Sequence, residues 1–236
     1  EEELLSGKVK MAYYKMFEGC DIAISWHPSS SNAVYDNSYL ACAYAKFYFT
    51  GLTAHAAFAP HLGRSAVDAM ELMNVGVNYM REHVIDAARI HYATDSCGFP
   101  PNIVPGKAVN WYCIRAPKMS DVKSILDRII KCAKGAALMT ETEVEVKVEH
   151  GCCEFYPNKK YADLTYNVMK EVPLPTYTAN ELQYAAHLQT SINPAAVKAE
   201  ANTYGTMEIL HSTLAPREPE DSSVLKTVFA LFVAKP

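Results

Sequence analysis

No stretch of eighteen apolar residues occurs in this 236-residue sequence, which excludes a helix long enough to span a bilayer. There is no block of basic residues either. Lys+Arg 22 against Asp+Glu 26 leaves a net charge of −4, which argues against a nucleic-acid partner or an anionic membrane surface. The opening Glu1-Glu2-Glu3 lacks the basic start and apolar stretch of a signal peptide. No initiator Met precedes it, so the sequence reads as a processed chain or a fragment. CxxC is missing, and the seven cysteines are an odd set. Cys42, Cys113 and Cys132 sit in apolar segments, and only Cys152-Cys153 are adjacent. That pattern disfavours a disulfide framework or a cysteine zinc finger and predicts reduced, mostly buried thiols in a cytoplasmic protein. What is present is ordinary globular material, 50% hydrophobic and 20% charged, which excludes wholesale disorder. The length suits one large domain or two small ones.

Between Lys46 and Glu154 the hydrophobic period alternates in a regular order. Lys46 to Phe49 is a short aromatic strand closed by Gly51. Ser65 and Asp68 then read as a capping-box variant. Ala66, Met70, Met73, Val77, Met80 and Val84 follow at steps of three and four, one apolar stripe of a helix. Arg89 to Thr94 alternates, with Ile90 and Tyr92 on one face, and Ala108 to Arg115 alternates again. Gly98-Phe99-Pro100-Pro101 breaks the chain between them. Val122, Ile125, Leu126, Ile129, Ile130 and Ala133 mark a second helix. Glu143 to His150 places Val144, Val146 and Val148 on one face and charges on the other, a half-solvated strand.

The order strand, helix, strand, strand, helix, strand predicts an α+β fold of the ferredoxin-like βαββαβ type, with two helices on one face of a four-stranded sheet. The flanks differ. Asp21 to Ser25 is an apolar strand candidate ending at Trp26-His27-Pro28, and residues 159–172 and 179–191 read as helices split by Pro173 and Pro175. The last stretch shows no clear period before the apolar Val224 to Val233. An insert therefore interrupts another, partly present domain.

Three clusters carry potential chemistry. Glu2-Glu3, followed by Gly7-Lys8, suits a site where one carboxylate binds a metal and the other takes a proton, or is solvated surface charge. Trp26-His27-Pro28 follows the strand candidate, where ligand sites of α/β sheets collect; His27 is a metal ligand or a loop residue held by a backbone carbonyl. Phe49 to Ala69 sets His55 among small alanines in a strand-to-helix loop, ahead of His61 and a helix N-terminus. The plain alternative is that both histidines are ordinary loop residues.

Together these segments resemble the dinuclear-metal amidohydrolases and peptidases that include aminoacylases, carboxypeptidase G and aminobenzoyl-glutamate hydrolases, above all the aminobenzoyl-glutamate utilisation branch. The resemblance rests on Gly51, Ala54-His55-Ala56-Ala57, Pro60, Gly63-Arg64-Ser65-Ala66 and Asp68-Ala69, on Pro101-Asn102-Ile103-Val104-Pro105, on Ile114-Arg115-Ala116-Pro117, and on Gly135-Ala136-Ala137-Leu138-Met139-Thr140. It implies a lid and dimerisation domain over 46–157, inserted in a partial α/β metallopeptidase-type catalytic domain formed by 1–45 and 158–236. It implies Glu2 as general base, Glu3 and His27 as metal ligands, and His55 reaching across a dimer to stabilise the partner's oxyanion. Asn102 and Arg115 match positions that hold the substrate's scissile group and carboxylate. The implied cofactors are two divalent ions, zinc or manganese, and the implied partners are an N-acyl amino acid such as aminobenzoyl-glutamate and a second copy of the chain.

The chemistry of these residue types is consistent with the likeness. A donor aimed at a developing oxyanion is worth ~3 kcal/mol. An Arg grips a carboxylate through two parallel hydrogen bonds that Lys cannot reproduce. The sequence also departs from the family pattern. Two metals need about five protein ligands, and only Glu3 and His27 are nominated, with His211-Ser212 the one late candidate. This chain alone is thus expected to bind fewer metals or none. Two readings follow: an amidohydrolase seen in part, or a catalytically inactive dimerising or ligand-binding module derived from one. A ferredoxin-like small-molecule sensor is a third, resting on fold alone.

Overall fold

A computed structural model describes residues 7–26, 32–34, 36–173, 176–195 and 233–234. Its elements in chain order are α1 (Gly7–Tyr13), β1 (Ile22–Ala23), β2 (Ala41–Thr50), α2 (Ala66–Met80), β3 (Arg89–Ser96), β4 (Lys107–Ala116), α3 (Met119–Thr140), β5 (Glu143–Cys152), α4 (Lys159–Glu171), α5 (Ala179–Gln189) and β6 (Val233–Ala234). The chain divides into two compact units, 1–19 with 39–155 and 20–38 with 156–236.

In the first unit β2 to β5 form a four-stranded antiparallel sheet in the order β3-β4-β2-β5. With α2 and α3 on one face this is the α+β ferredoxin-like arrangement that the periodicity predicts. The alternation of β2 explains which face is covered. Ala41, Ala43, Ala45, Phe47 and Phe49 are buried against Met70, Met73 and Val77 of α2 and Val122, Ile125, Ile129 and Ala133 of α3. Phe47 and Ile129 are fully buried, so truncating either to Ala would cost ~3–5 kcal/mol. The core also holds a polar seam. The amide of the fully buried Asn110 and the Tyr112 hydroxyl both donate to Asn74 Oδ1 at 2.5 Å, tying β4 to α2. Burial pushes the Tyr112 hydroxyl pKa up, which keeps it a donor.

Three details differ from the sequence expectation. β2 begins at Ala41 rather than Lys46, because its first half is built from alanines whose weak strand propensity conceals a fully buried strand. α2 stops at Met80 and tightens into a 3-10 turn, Arg81–His83, short of Val84. Arg81 closes that turn by donating to Asn78 Oδ1 at 3.0 Å and to the Ile90 carbonyl at 2.6 Å. On β5, Val144 and Val146 pack on the core, but Val148 stays 57% exposed beside a bulge on this edge strand. The capping at Ser65 is also modified: its Oγ accepts the Asp68 N–H at 3.1 Å and donates to Asp68 Oδ1 at 2.7 Å.

The segments that join these elements are held by backbone contacts. A Cβ on Gly51 would collide with the Arg64 carbonyl oxygen. Leu52 and Arg64 exchange two hydrogen bonds of 2.9 Å, and Ala66 N–H donates to the Pro105 carbonyl at 2.8 Å. The Arg64 side chain reaches Glu141 at 2.8 Å, at the end of α3. Glu141 has φ 52, a left-handed conformation costing ~1–2 kcal/mol outside glycine. The ion pair offsets part of that.

In the second unit β1 pairs antiparallel with β6. Asn158 caps α4, its side chain accepting from Tyr161 N–H at 3.1 Å. Thr178 and Glu181 form a full capping box on α5, and the Thr178 N–H and hydroxyl hold the Glu181 carboxyl below its usual pKa. Both helices match the expected spans. Ala162 is their only buried residue, while Leu164, Val168, Leu182 and Leu188 are exposed.

Two glycines separate close approach from helix propensity. Gly51→Ala should lower stability by about 1–3 kcal/mol, because backbone rather than a movable side chain blocks the methyl. Gly135→Ala, at an α3 position with nothing within 4 Å, should raise it by about 0.5–1 kcal/mol. Urea unfolding of the two variants checks this, and equal effects would contradict the packing described.

Candidate functional site

Two separate groups of candidate residues lie on the first unit. The first is a loop pair beyond the C-terminal end of β2. Ala56 N–H donates to the Asn102 carbonyl at 2.9 Å, Val104 N–H donates to the Ala54 carbonyl at 2.8 Å, and His55 bridges Ile103. Pro100-Pro101-Asn102-Ile103 is a turn closed by Ile103 N–H on the Pro100 carbonyl at 3.0 Å, with Pro at its second position. Gly63 lets this pair close, since a Cβ there would lie 2.8 Å from Val104. Backbone hydrogen bonds therefore tie the His55 loop to the Asn102 turn, with both side chains exposed.

The His55 ring has a defined proton. Its Nδ1 accepts the Phe58 N–H at 3.1 Å, so the neutral ring carries its hydrogen on Nε2. That nitrogen can donate to an oxyanion but cannot act as a base in the same tautomer.

The second group lies at the other end of the sheet, on the face away from the helices. Arg115 Nη2 donates to the Tyr44 hydroxyl at 3.4 Å. Burial, then Cys113, raises the Tyr44 pKa to about 12, so the hydroxyl stays protonated. Arg115 pairs across the sheet with Cys42 on one side and Arg89 on the other. Burial, followed by Arg115, Arg81 and Arg89, lowers the His91 pKa and keeps that ring neutral at pH 7. The corner is cationic and suits a carboxylate. Beside it, Lys46 lies 3.2 Å from Asp95, 3.8 Å from Glu149 and 4.9 Å from the Trp111 ring centroid. Lys46 is thus committed to bracing β2, β3 and β5.

The fold brings His55 and Asn102 together and holds Arg115 away from them. From Lys107, where β4 starts, to Arg115 is 115 − 107 = 8 residues, about 26 Å of extended strand. One sheet cannot bring all three to one small substrate. Glu2, Glu3 and His27, the nominated base and metal ligands, lie outside the described residues, as does His211. Among the described residues no group of three or more His, Cys, Asp or Glu is placed to hold a metal ion. Sequence reasoning missed Tyr44 and the Cys42–Cys152 pair. The signal lay in β2, where Cys42, Tyr44, Lys46 and Tyr48 alternate with buried Ala and Phe.

Comparison with known proteins accords with this geometry. Residues 42–139 match the M20 peptidase dimerisation domain. The chain is 42% identical over 192 residues to a p-aminobenzoyl-glutamate hydrolase subunit of Escherichia coli (strain K12), covering 81% of this chain and 40% of that protein. It is 30% identical over 159 residues to the Xaa-Arg dipeptidase of Mus musculus, covering 67% of this chain and 37% of that protein. Its fold matches the crystal structure of an aminobenzoyl-glutamate utilization protein from Klebsiella pneumoniae with a TM-score of 0.52 at 22% identity, over 64% of this chain and 38% of that one. The chain thus spans 40% or less of the length of these curated relatives. The chain is similar, over residues 42–139, to the M20 peptidase dimerisation domain and, over most of its length, to a p-aminobenzoyl-glutamate hydrolase subunit.

Proposed function

We propose that the chain is the lid-bearing part of a cytoplasmic, metal-dependent amidohydrolase that cleaves the amide of an N-acyl amino acid such as aminobenzoyl-glutamate, and that it works as a homodimer through the lid domain. The substrate class is supported by the relative named as a p-aminobenzoyl-glutamate hydrolase and by the cationic corner at Arg115. The observation that carries the reading is the separation of His55 and Asn102 from Arg115 along one sheet. Two copies resolve it: His55 and Asn102 of one protomer complete a site whose Arg115 belongs to its partner.

In this reading Arg115 grips the substrate's free carboxylate through two parallel hydrogen bonds. Asn102 orients the scissile group, and His55 donates its Nε2 hydrogen to the oxygen that gains charge as the amide carbon becomes tetrahedral. Glu2 as general base, Glu3 and His27 as ligands of two divalent ions, zinc or manganese, and the domain limits 1–45, 46–157 and 158–236 rest on the family resemblance. The exposed apolar side chains of α4 and α5 support a place for that segment in a larger core.

In the whole protein, His55→Ala should lower kcat by about 10²–10³-fold with the dimer intact. Mixing His55→Ala and Arg115→Ala subunits should then restore about a quarter of the activity, because a mixed dimer keeps one whole site. Subunit exchange followed by a hydrolysis assay reads this, and a mixture as inactive as its parents would refute the shared site. Arg115→Lys should raise KM for a carboxylate substrate by roughly 10–100-fold while changing kcat less. Steady-state kinetics against an amidated analogue checks it: the variant should lose the preference for the free acid.

A further inference from the structure

On the sheet face away from α2 and α3, beside Arg115, the sulfurs of Cys42 and Cys152 lie 3.6 Å apart. The two residues are direct partners across β2 and β5. Antiparallel partners have Cα atoms about 4.5–5.5 Å apart, inside the span a disulfide bridges. The strands approach closely here because Gly151 permits it: a Cβ on Gly151 would lie 2.7 Å from the Cys42 carbonyl oxygen. Among the described residues no other two thiols come within hydrogen-bonding distance, and Cys20, Cys97 and Cys153 are exposed.

We propose that Cys42 and Cys152 form a peroxide-oxidisable dithiol, a modification site that closes to a disulfide between β2 and β5 beside Arg115. A sulfur hydrogen bond from Cys152, reinforced by the Arg115 charge, lowers the Cys42 pKa below the usual thiol value, while burial opposes it. The same pairing, with burial, raises the Cys152 pKa, so the two thiols share one proton near neutrality. Cys42 is fully buried, which selects an oxidant as small as hydrogen peroxide. The Cys42 thiolate attacks one peroxide oxygen, the O–O bond breaks, and the released hydroxide takes a proton to become water, leaving a sulfenic acid. The Cys152 sulfur then attacks that sulfur. The S–S bond forms, the S–O bond breaks, and hydroxide leaves with the Cys152 proton as a second water. Two electrons pass from sulfur to peroxide, and an external dithiol returns them by thiol–disulfide exchange.

The test is equimolar hydrogen peroxide on the whole chain, followed by intact mass, peptide mapping after alkylation, and a thermal melt. The expected result is a loss of about 2 Da, reversed by dithiothreitol. The linked peptides should contain Cys42 and Cys152, and Tm should rise by roughly 10 °C because the bridge closes a long loop. The oxidation rate should rise with pH through a midpoint below that of a free thiol. Cys152→Ser should halt the sequence at a Cys42 sulfenic acid that dimedone traps when the oxidised chain is unfolded in its presence. Linkage through Cys20, Cys97 or Cys153, stepwise oxidation of the pair without a bridge, or a rate midpoint near the free-thiol value of about 8.5 would overturn the proposal.

Discussion

At Gly51 the end of β2 passes so close to the Arg64 carbonyl that nothing larger than hydrogen fits between them. From this contact the ladder between Leu52 and Arg64 follows, and with it the direction in which the chain enters α2 at Ser65. The next segment, 102–106, is laced on top through Ala54, Ala56, Ala66 and Gly51, each making a backbone hydrogen bond to it. Arg64, once fixed, reaches Glu141 and holds the end of α3 in its left-handed turn. The motif residues around His55 are therefore chiefly a scaffold. His55 and Asn102 are among the side chains that the scaffold leaves exposed.

The same rigidity is what leads the proposed site to call for two copies. Loops laced to the strand ends cannot swing toward the other end of their own sheet, where Arg115 stands among Tyr44, Cys42 and Arg89. Precise placement of an oxyanion donor is worth most when it requires no reorganisation at the moment of reaction. Backbone-laced loops provide that at the cost of reach, and in the proposed dimer a second protomer supplies the reach.

Much of the lid fold was legible in the sequence. The stripes of α2 and α3 could be read because Met73, Val77, Ile125 and Ile129 recur at helical spacing. The first half of β2 could not, because Ala41, Ala43 and Ala45 carry little strand signal and owe their state to the helices above. Asn110 fell on the apolar face without warning, since its partner Asn74 is 36 residues away on another element. His55 stood out as a loop histidine among small alanines, whereas Asn102 and Arg115 were visible only as parts of a resemblance; no spacing joins residues on opposite ends of a sheet. The Cys42–Cys152 pair was hidden further, because its meeting depends on the register of β2 with β5 and on a bulge within it.

The shared site proposed above, completed by the loop pair of a second protomer, would make hydrolytic activity depend on the dimer. The direct measurement is specific activity of the whole protein as it is diluted through the dimer–monomer transition, followed in parallel by sedimentation. A shared site predicts that activity falls in step with the dimer fraction and returns on reconcentration. A monomer with undiminished activity would contradict it.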